Sequence, residues 1–232
     1  MDKVIAIVRS ASGTIEPSRR EALWPEIEAG AVALSASVPH LSGLVVSRVI
    51  RPFAEGDPLV ALIEVWDDAP DADALIELAL PASLRQDAVL TVTTAICSEI
   101  VFKRVADYAR DGSPWTVKLA GTAFRRDDFE LEQFYEYWTN THAPIGGTVP
   151  SLGGYTVSRV KSGQLGEESA DALIEQWYVD EQAFDLVQES EQAQAAWNDV
   201  GNYAKTTGTA FWLLSESVIV EPPITGPGTL ET

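Results

Sequence analysis

His142 is the residue of this chain best suited to acid–base chemistry. It follows an aromatic run, Phe134-Tyr135-Glu136-Tyr137-Trp138, and precedes Ala143-Pro144. Leu131, Phe134, Trp138 and His142 are spaced three, four and four residues apart, so on a helix they share one face. Pro144 disfavours helical geometry at Ala143, which predicts that His142 sits at or near the helix end. An imidazole backed by aromatic rings beside a loop can work as a general acid or base near neutral pH. A histidine that caps the helix C-terminus, or is satisfied inside the core, is the alternative.

Tyrosines and arginines supply the other candidate groups. Tyr155, Val157 and Arg159 alternate along a predicted strand, so Tyr155 and Arg159 share a face and can share a pocket with His142. There the tyrosine can donate a proton while Arg159 or Arg125 stabilises a developing oxyanion. Arg125 and Arg126 end another strand, where an arginine can hold a carboxylate or phenolate; pairing with Asp127 or Asp128 is the simpler account. Tyr135, Trp138 and Trp177 are candidates for a substrate wall, with plain packing as the alternative. His40 in a Val-Pro turn reads as solvated, and Cys97 in an apolar strand as an inert core thiol. Two histidines and one cysteine cannot form a Cys/His zinc cluster. The chain has no dinucleotide-binding glycine motif, P-loop lysine or nucleophile-elbow serine, so no cofactor is expected.

The elements that position these residues occur twice. Val38–Val49 returns as Val149–Val160 with eight of twelve positions identical, 111 residues on. In the same register, Ala61–Trp66 returns as Ala172–Trp177 with five of six identical. A constant register marks one structural unit used twice. His142 corresponds to Ala31, and Tyr135, Tyr137 and Tyr155 to Trp24, Glu26 and Leu44, so these groups belong to the second copy alone. Arg48 and Arg159, Glu64 and Glu175, and Trp66 and Trp177 occur in both copies. They read as architecture, the charged residues as cross-strand ion pairs.

Strands are expected at 3–9, 43–50, 59–66 and 91–102, with helices at 17–34 and 71–80. The second half gives strands at 116–124, 154–161, 170–178 and 209–220, with helices at 129–141 and from Asp180 towards Gly201. Asp127 or Asp128 is expected to cap the first of these. The order strand-helix-strand-strand-helix-strand is the ferredoxin-like α+β unit, an antiparallel sheet with helices on one face. Its other face must be buried, and a second copy is the obvious cover. The expected architecture is two tandem units, 1–106 and 116–220, packed sheet to sheet as a fused dimeric α+β barrel. Residues 107–115 form the linker, and 221–232 an irregular tail.

Composition narrows the function. Thirty-five acidic against sixteen basic residues give a net charge of −19, which opposes nucleic acid and anionic membranes as partners. No apolar run approaches a membrane span, Val4–Val8 is short and lacks a small-residue cleavage site so that no signal peptide is expected, and one cysteine excludes an intrachain disulfide framework. A cytoplasmic protein with a small-molecule substrate is expected, either a monomer with an internal pseudo-dimer or a homodimer.

The run Phe134–Pro144, preceded by Ala123-Phe124-Arg125-Arg126 and followed by Val149-Pro150-Ser151-Leu152-Gly153-Gly154-Tyr155, resembles the EthD-like family of the dimeric α+β barrel superfamily. That resemblance implies a range of activities: cofactor-free isomerases, dehydratases, small monooxygenases and haem-binding proteins. The leading expectation is a cofactor-independent lyase or isomerase. It would act on a small aromatic or lactone-like compound, with His142, Tyr155 and Arg159 as catalytic groups and dehydration, decarboxylation or double-bond migration as the reaction. A non-catalytic small-molecule, haem-binding or accessory protein and a cofactor-free monooxygenase are the alternatives.

Overall fold

The computed structural model describes residues 1–68, 70–85, 90–103 and 115–223. Runs of β-branched residues such as Val4-Ile5-Ala6-Ile7-Val8 form strands, and capped polar-apolar stretches between them form helices. The first half runs β1 (Asp2–Ser10), α1 (Pro17–Ser37), β2 (Gly43–Pro52), β3 (Leu59–Asp67), α2 (Ala72–Ala79), the short α3 (Ala82–Arg85) and β4 (Leu90–Lys103). The second half runs β5 (Val117–Ala123), α4 (Leu131–Tyr137), a π-helical turn at Trp138–His142 and α5 (Ala143–Gly146). It continues with β6 (Gly154–Gly163), β7 (Ala172–Tyr178), α6 (Glu181–Gln188), α7 (Glu191–Val200) and β8 (Phe211–Val220). Asp71 caps α2 through its side chain, and Pro81 follows its end. The long helix expected after Asp180 is two helices, because Ser190 starts a new one by accepting from the Ala193 N–H. The predicted linker at 107–114 and the tail beyond residue 223 lie outside the described residues.

All eight strands pair antiparallel and close in the order β1-β3-β2-β8-β5-β7-β6-β4. Each half occupies one arc of this ring. The arcs join edge to edge, β2 on β8 and β4 on β6, rather than stacking as two separate layers. Joining the edges satisfies the backbone groups that stacked sheets would leave bare. Helices cover the outside. Over the first arc, Leu23, Ile27, Ala31 and Leu34 of α1 pack with α2 against β1, β2 and β3. There α1 approaches α2 so closely that a Cβ on Gly30 would come within 2.2 Å of the Ala79 carbonyl oxygen.

Charge fills part of the barrel interior. Lys3 Nζ lies 2.6 Å from Glu64 Oε1, 2.6 Å from Glu175 Oε2 and 3.1 Å from Glu99 Oε1. Lys118 Nζ contacts Glu64 Oε2 and lies 3.2 Å from Glu175 Oε1 and 2.8 Å from Glu216 Oε1. Trp66 Nε1 donates to Glu99 at 3.0 Å, and Trp177 Nε1 donates to Glu216 at 2.9 Å. The duplicated glutamates therefore pair with lysines and not with the duplicated arginines. Strand alternation explains the correction: Arg48 and Arg159 sit opposite Ala61 and Ala172 and face out, while Glu64 and Glu175 face in. Burial and the adjacent Glu64 charge push the Glu175 carboxyl up to about 8. Burial also opposes charge on Glu64, but Lys118 and Lys3 outweigh it and hold Glu64 below the usual carboxylate range. The two carboxyls are thus pushed in opposite directions, Glu175 up and Glu64 down.

Candidate active site

Between the outer face of β5 and β7 and the helices α4 and α7 lies a cleft with about 640 Å³ of unfilled space, part of it open to solvent. Leu119, Ala123 and Ile174 form its floor. His142, Trp138 and Tyr203 line its buried end, and Trp197 and Phe211 line the end nearer solvent.

Local sequence explains how His142 is presented. Glu130 starts α4 with a capping box, its side chain accepting from the Gln133 N–H while Gln133 reaches back to the Glu130 N–H. Asp127 and Asp128 do not cap; they pair with Lys205 and Arg126, at 2.6 and 2.8 Å. The helix does not end at His142. It widens into a π turn, in which the Ala143 N–H bonds back to Trp138 O, and then continues as α5. Pro144 falls in the first turn of α5, where its missing N–H costs least. The wide turn carries both Trp138 and His142 into the cleft.

His142 Nδ1 lies 3.0 Å from Asp199 Oδ2. Asp199 Oδ1 accepts from Tyr137 Oη and from Asn202 Nδ2, both at 2.9 Å. Burial would raise the Asp199 carboxyl, yet the hydrogen bonds from Asn202, Tyr137 and His142 hold it below its ordinary value. Burial lowers the His142 imidazole below its ordinary value, and Asp199 offsets only part of that. The balance favours the neutral ring. An acceptor-only carboxylate at Nδ1 makes that nitrogen the donor and leaves the lone pair on Nε2. Tyr203 closes the assembly, its ring centroid 4.9 Å from His142 and 5.3 Å from Trp138.

The other sequence-predicted groups lie elsewhere. Tyr155 sits behind the cleft, with its hydroxyl accepting from Trp138 Nε1 at 2.7 Å and its ring against Phe102. Arg159 does not join it, since four residues along a strand separate the two by roughly 13 Å. Instead the Arg159 guanidinium lies 3.9 Å over the Tyr135 ring and 3.3 Å from Glu132. Tyr135 donates to the Asp171 carbonyl at 2.7 Å, and burial pushes its hydroxyl up to about 12. Arg125 binds the Asp171 carboxylate at 2.5 Å. Trp177 points into the barrel. Of the predicted set, the cleft brings together only His142 and Trp138. Asp199 and Tyr203 were missed, and nothing local distinguishes Asp199 from the other acidic residues of so acidic a chain.

Residues 126–207 match the EthD domain. The matched span holds the π turn, His142, Asp199 and Tyr203, while Leu119 and Ala123 of the cleft floor and Phe211 at its mouth lie outside it. No curated protein matches the sequence. Among solved structures, an anthrone oxidase-like protein superposes with a TM-score of 0.63 at 11% identity, covering 97% of this chain and 96% of its own. A candidate monooxygenase from Lactobacillus acidophilus NCFM gives 0.53 at 12% identity over 96% and 98%. A candidate chlorite dismutase gives 0.53 at 15% over 92% and 93%. These likenesses establish a mixed α+β fold with an antiparallel sheet. No helix among the described residues is long and apolar enough to cross a membrane.

The lining of the cleft also bears on cofactors. Among the described residues no group of three or more His, Cys, Asp or Glu is arranged to hold a metal ion. A porphyrin does not fit the side chains present: His142 is 5% exposed between Trp138 and Tyr203, which leaves no porphyrin-wide face over Nε2. Among the described lining residues the one cation, Lys205, is paired with Asp127.

Phe211 owes its place at the mouth to a glycine. A Cβ on Gly121 would come within 2.3 Å of Phe211 Cδ1, so the ring lies in space that only glycine leaves free. Gly121→Ala should displace the ring and lower stability by about 1–3 kcal/mol, the usual cost of overpacking. A denaturant midpoint equal to wild type would contradict this.

Proposed function

We propose that the cleft binds a small aromatic or lactone-like compound and that His142, held by Asp199, removes a proton from it. The observation that carries this reading is the hydrogen bond of His142 Nδ1 to the Asp199 carboxylate, set in a cleft of aromatic and aliphatic side chains. Nε2 takes the proton from an acidic C–H or phenol O–H, and the imidazolium that forms is stabilised by the Asp199 carboxylate. Tyr203 and Trp138 give an aromatic ring surfaces to lie against. Gln176 accepts from Tyr178 Oη at 2.9 Å through its amide oxygen, so its amide NH2 is left to donate towards a substrate oxygen. Returning the proton to another carbon completes an isomerisation, and protonating a departing hydroxyl completes a dehydration. Loss of carbon dioxide from a carboxylated ring, with the imidazolium returning its proton to the carbon that is vacated, completes a decarboxylation.

A second outcome of the same first step is oxygenation, in which the electron-rich anion reacts with O2. The fold shared with an anthrone oxidase-like protein supports including it. The body around the site is read as two fused ferredoxin-like units, 1–106 and 116–220. Each supplies an arc in which its last, first, third and second strands are neighbours. A monomer suits a barrel that closes within one chain, and a cytoplasmic setting suits the single buried thiol of Cys97.

The test is turnover of hydroxyaromatic and lactone compounds by wild type and His142→Ala, in air and under nitrogen. A loss of about a hundredfold or more in the variant supports the base, and loss under nitrogen alone selects oxygenation. Turnover that survives the substitution rejects His142 as the base.

A further inference from the structure

The mouth of the cleft is built partly by the first half of the chain. At the end of β2 the Phe53 N–H donates to Phe211 O at 3.3 Å, which carries the first half across the rim of the second. The Phe53 ring then packs edge-on to Phe184 at 5.8 Å and against Phe211 at 6.1 Å. Arg51 fastens this arm. Its guanidinium makes two hydrogen bonds to the Asp185 carboxylate, at 2.6 and 3.0 Å, and lies 5.6 Å over the Phe184 ring. From the other side, Trp197 meets Phe211 edge-on at 5.2 Å and is fixed by its Nε1 bond to Gln188 at 2.8 Å.

The opposite seam of the barrel shows that this is more than a seam contact. Gly163 opposes Ala95 there as Pro52 opposes Trp212 here, and Gln164 N–H donates to Thr94 O as Phe53 N–H donates to Phe211 O. The backbone bridge is therefore present at both seams. At this end of the two seams the rings differ: Phe53 and Phe211 stand where the other has Gln164 and Thr94, whose own ring pair, Phe102 with Tyr155, lies at its far end. Phe53 is 50% exposed and Trp197 41% exposed, which are high values for aromatic residues that serve packing alone.

We propose that Phe53 is a positioning residue that acts through Phe211 to make the mouth selective for ligands of two fused aromatic rings over single rings. This rests on the reading of the cleft as an aromatic-substrate site. A phenol whose hydroxyl reaches His142 lies within the buried end. A second fused ring extends towards solvent, where Phe211 and Trp197 meet it.

The experiment is calorimetric titration of 1-naphthol and of phenol into wild type, Phe53→Ala, Phe53→Tyr and Gln164→Ala, with thermal melting as a control for folding. Phe53→Ala should weaken 1-naphthol by about three- to tenfold, the scale of one lost aromatic pair, and leave phenol within about twofold. Phe53→Tyr should restore selectivity, and Gln164→Ala should leave it unchanged. Equal effects of Phe53→Ala on both compounds, or no effect on either, overturn the inference while leaving the cleft reading intact. A wild type that binds neither compound overturns both.

Discussion

Asp199→Asn should reduce turnover by about a hundredfold to ten-thousandfold, the range set by general acid–base catalysis. The carboxylate accepts from His142 Nδ1 and so keeps the lone pair on Nε2, towards the cleft. An amide at that position can turn its NH2 towards the ring, which moves the hydrogen to Nε2 and removes the base. The substitution also has a pH signature. Burial lowers the folded-state pKa of His142 and Asp199 partly restores it, so the acid limb of kcat/KM in wild type lies below the ordinary histidine value. Without the Asp199 charge that limb should move to still lower pH while the plateau falls. Stability follows the same sign. A histidine whose folded pKa is depressed contributes fully above its unfolded pKa, near 6.5, and that contribution is lost as the pH falls through the folded pKa. Pre-steady-state rates between pH 5 and 8 would check both effects. A limb that moves upward in Asp199→Asn would show that the pair is not arranged as described.

Lys118→Met should be the most destabilising single change in the barrel. Lys118 is buried and holds Glu64, Glu175 and Glu216, so its loss leaves buried carboxylates facing one another. Breaking a buried pair from one side costs about 3–5 kcal/mol. For a chain of this size that lowers Tm by about 10 °C or more. Lys205→Met, which breaks only a surface pair with Asp127, should cost about 1 kcal/mol or less. The same cluster predicts an unusual pH trend. Glu175 has its folded pKa raised to about 8, so its contribution is fully present below the unfolded carboxylate pKa and is lost as the pH rises through 8. Glu175→Gln should abolish that decline. Calorimetric melting of Lys118→Met within a few degrees of wild type would reject the charge cluster as a determinant of stability.

Most of the fold was legible because the signals are local. The repeat at constant register, the β-branched runs and the Asp71 and Asp180 caps place the strands and helices within a few residues of their observed ends. Closure was not legible, since which edge meets which depends on contacts between halves. For the same reason Lys3 and Lys118 look like lysines at the start of a surface strand, and only the closed ring turns them inward. In the site, His142 and Trp138 were found because helical spacing and a motif coincide on them. The π turn escaped because Pro144 can end a helix or open a new one, and the sequence reads the same in both cases. Asp199 escaped because its role is set by a side chain 57 residues away. Tyr155 and Arg159 share a strand face as expected, but a shared face says nothing about distance along it.

The barrel interior has one more consequence, for how such a chain can be divided. Each half contributes one lysine and two glutamates to the central cluster: Lys3, Glu64 and Glu99 from one, Lys118, Glu175 and Glu216 from the other. Two copies of either half would bring together the same inventory. Interior charge thus gives a fragment no means of telling its sister from its twin. Discrimination falls to the rim, where Arg51 meets Asp185 and Lys161 meets Asp2 in pairs that neither half can reproduce with itself. A chain cut between β4 and β5 would sort into unlike pairs through those exposed contacts and the Phe53 ring packing, and added salt should weaken the charged share of the sorting.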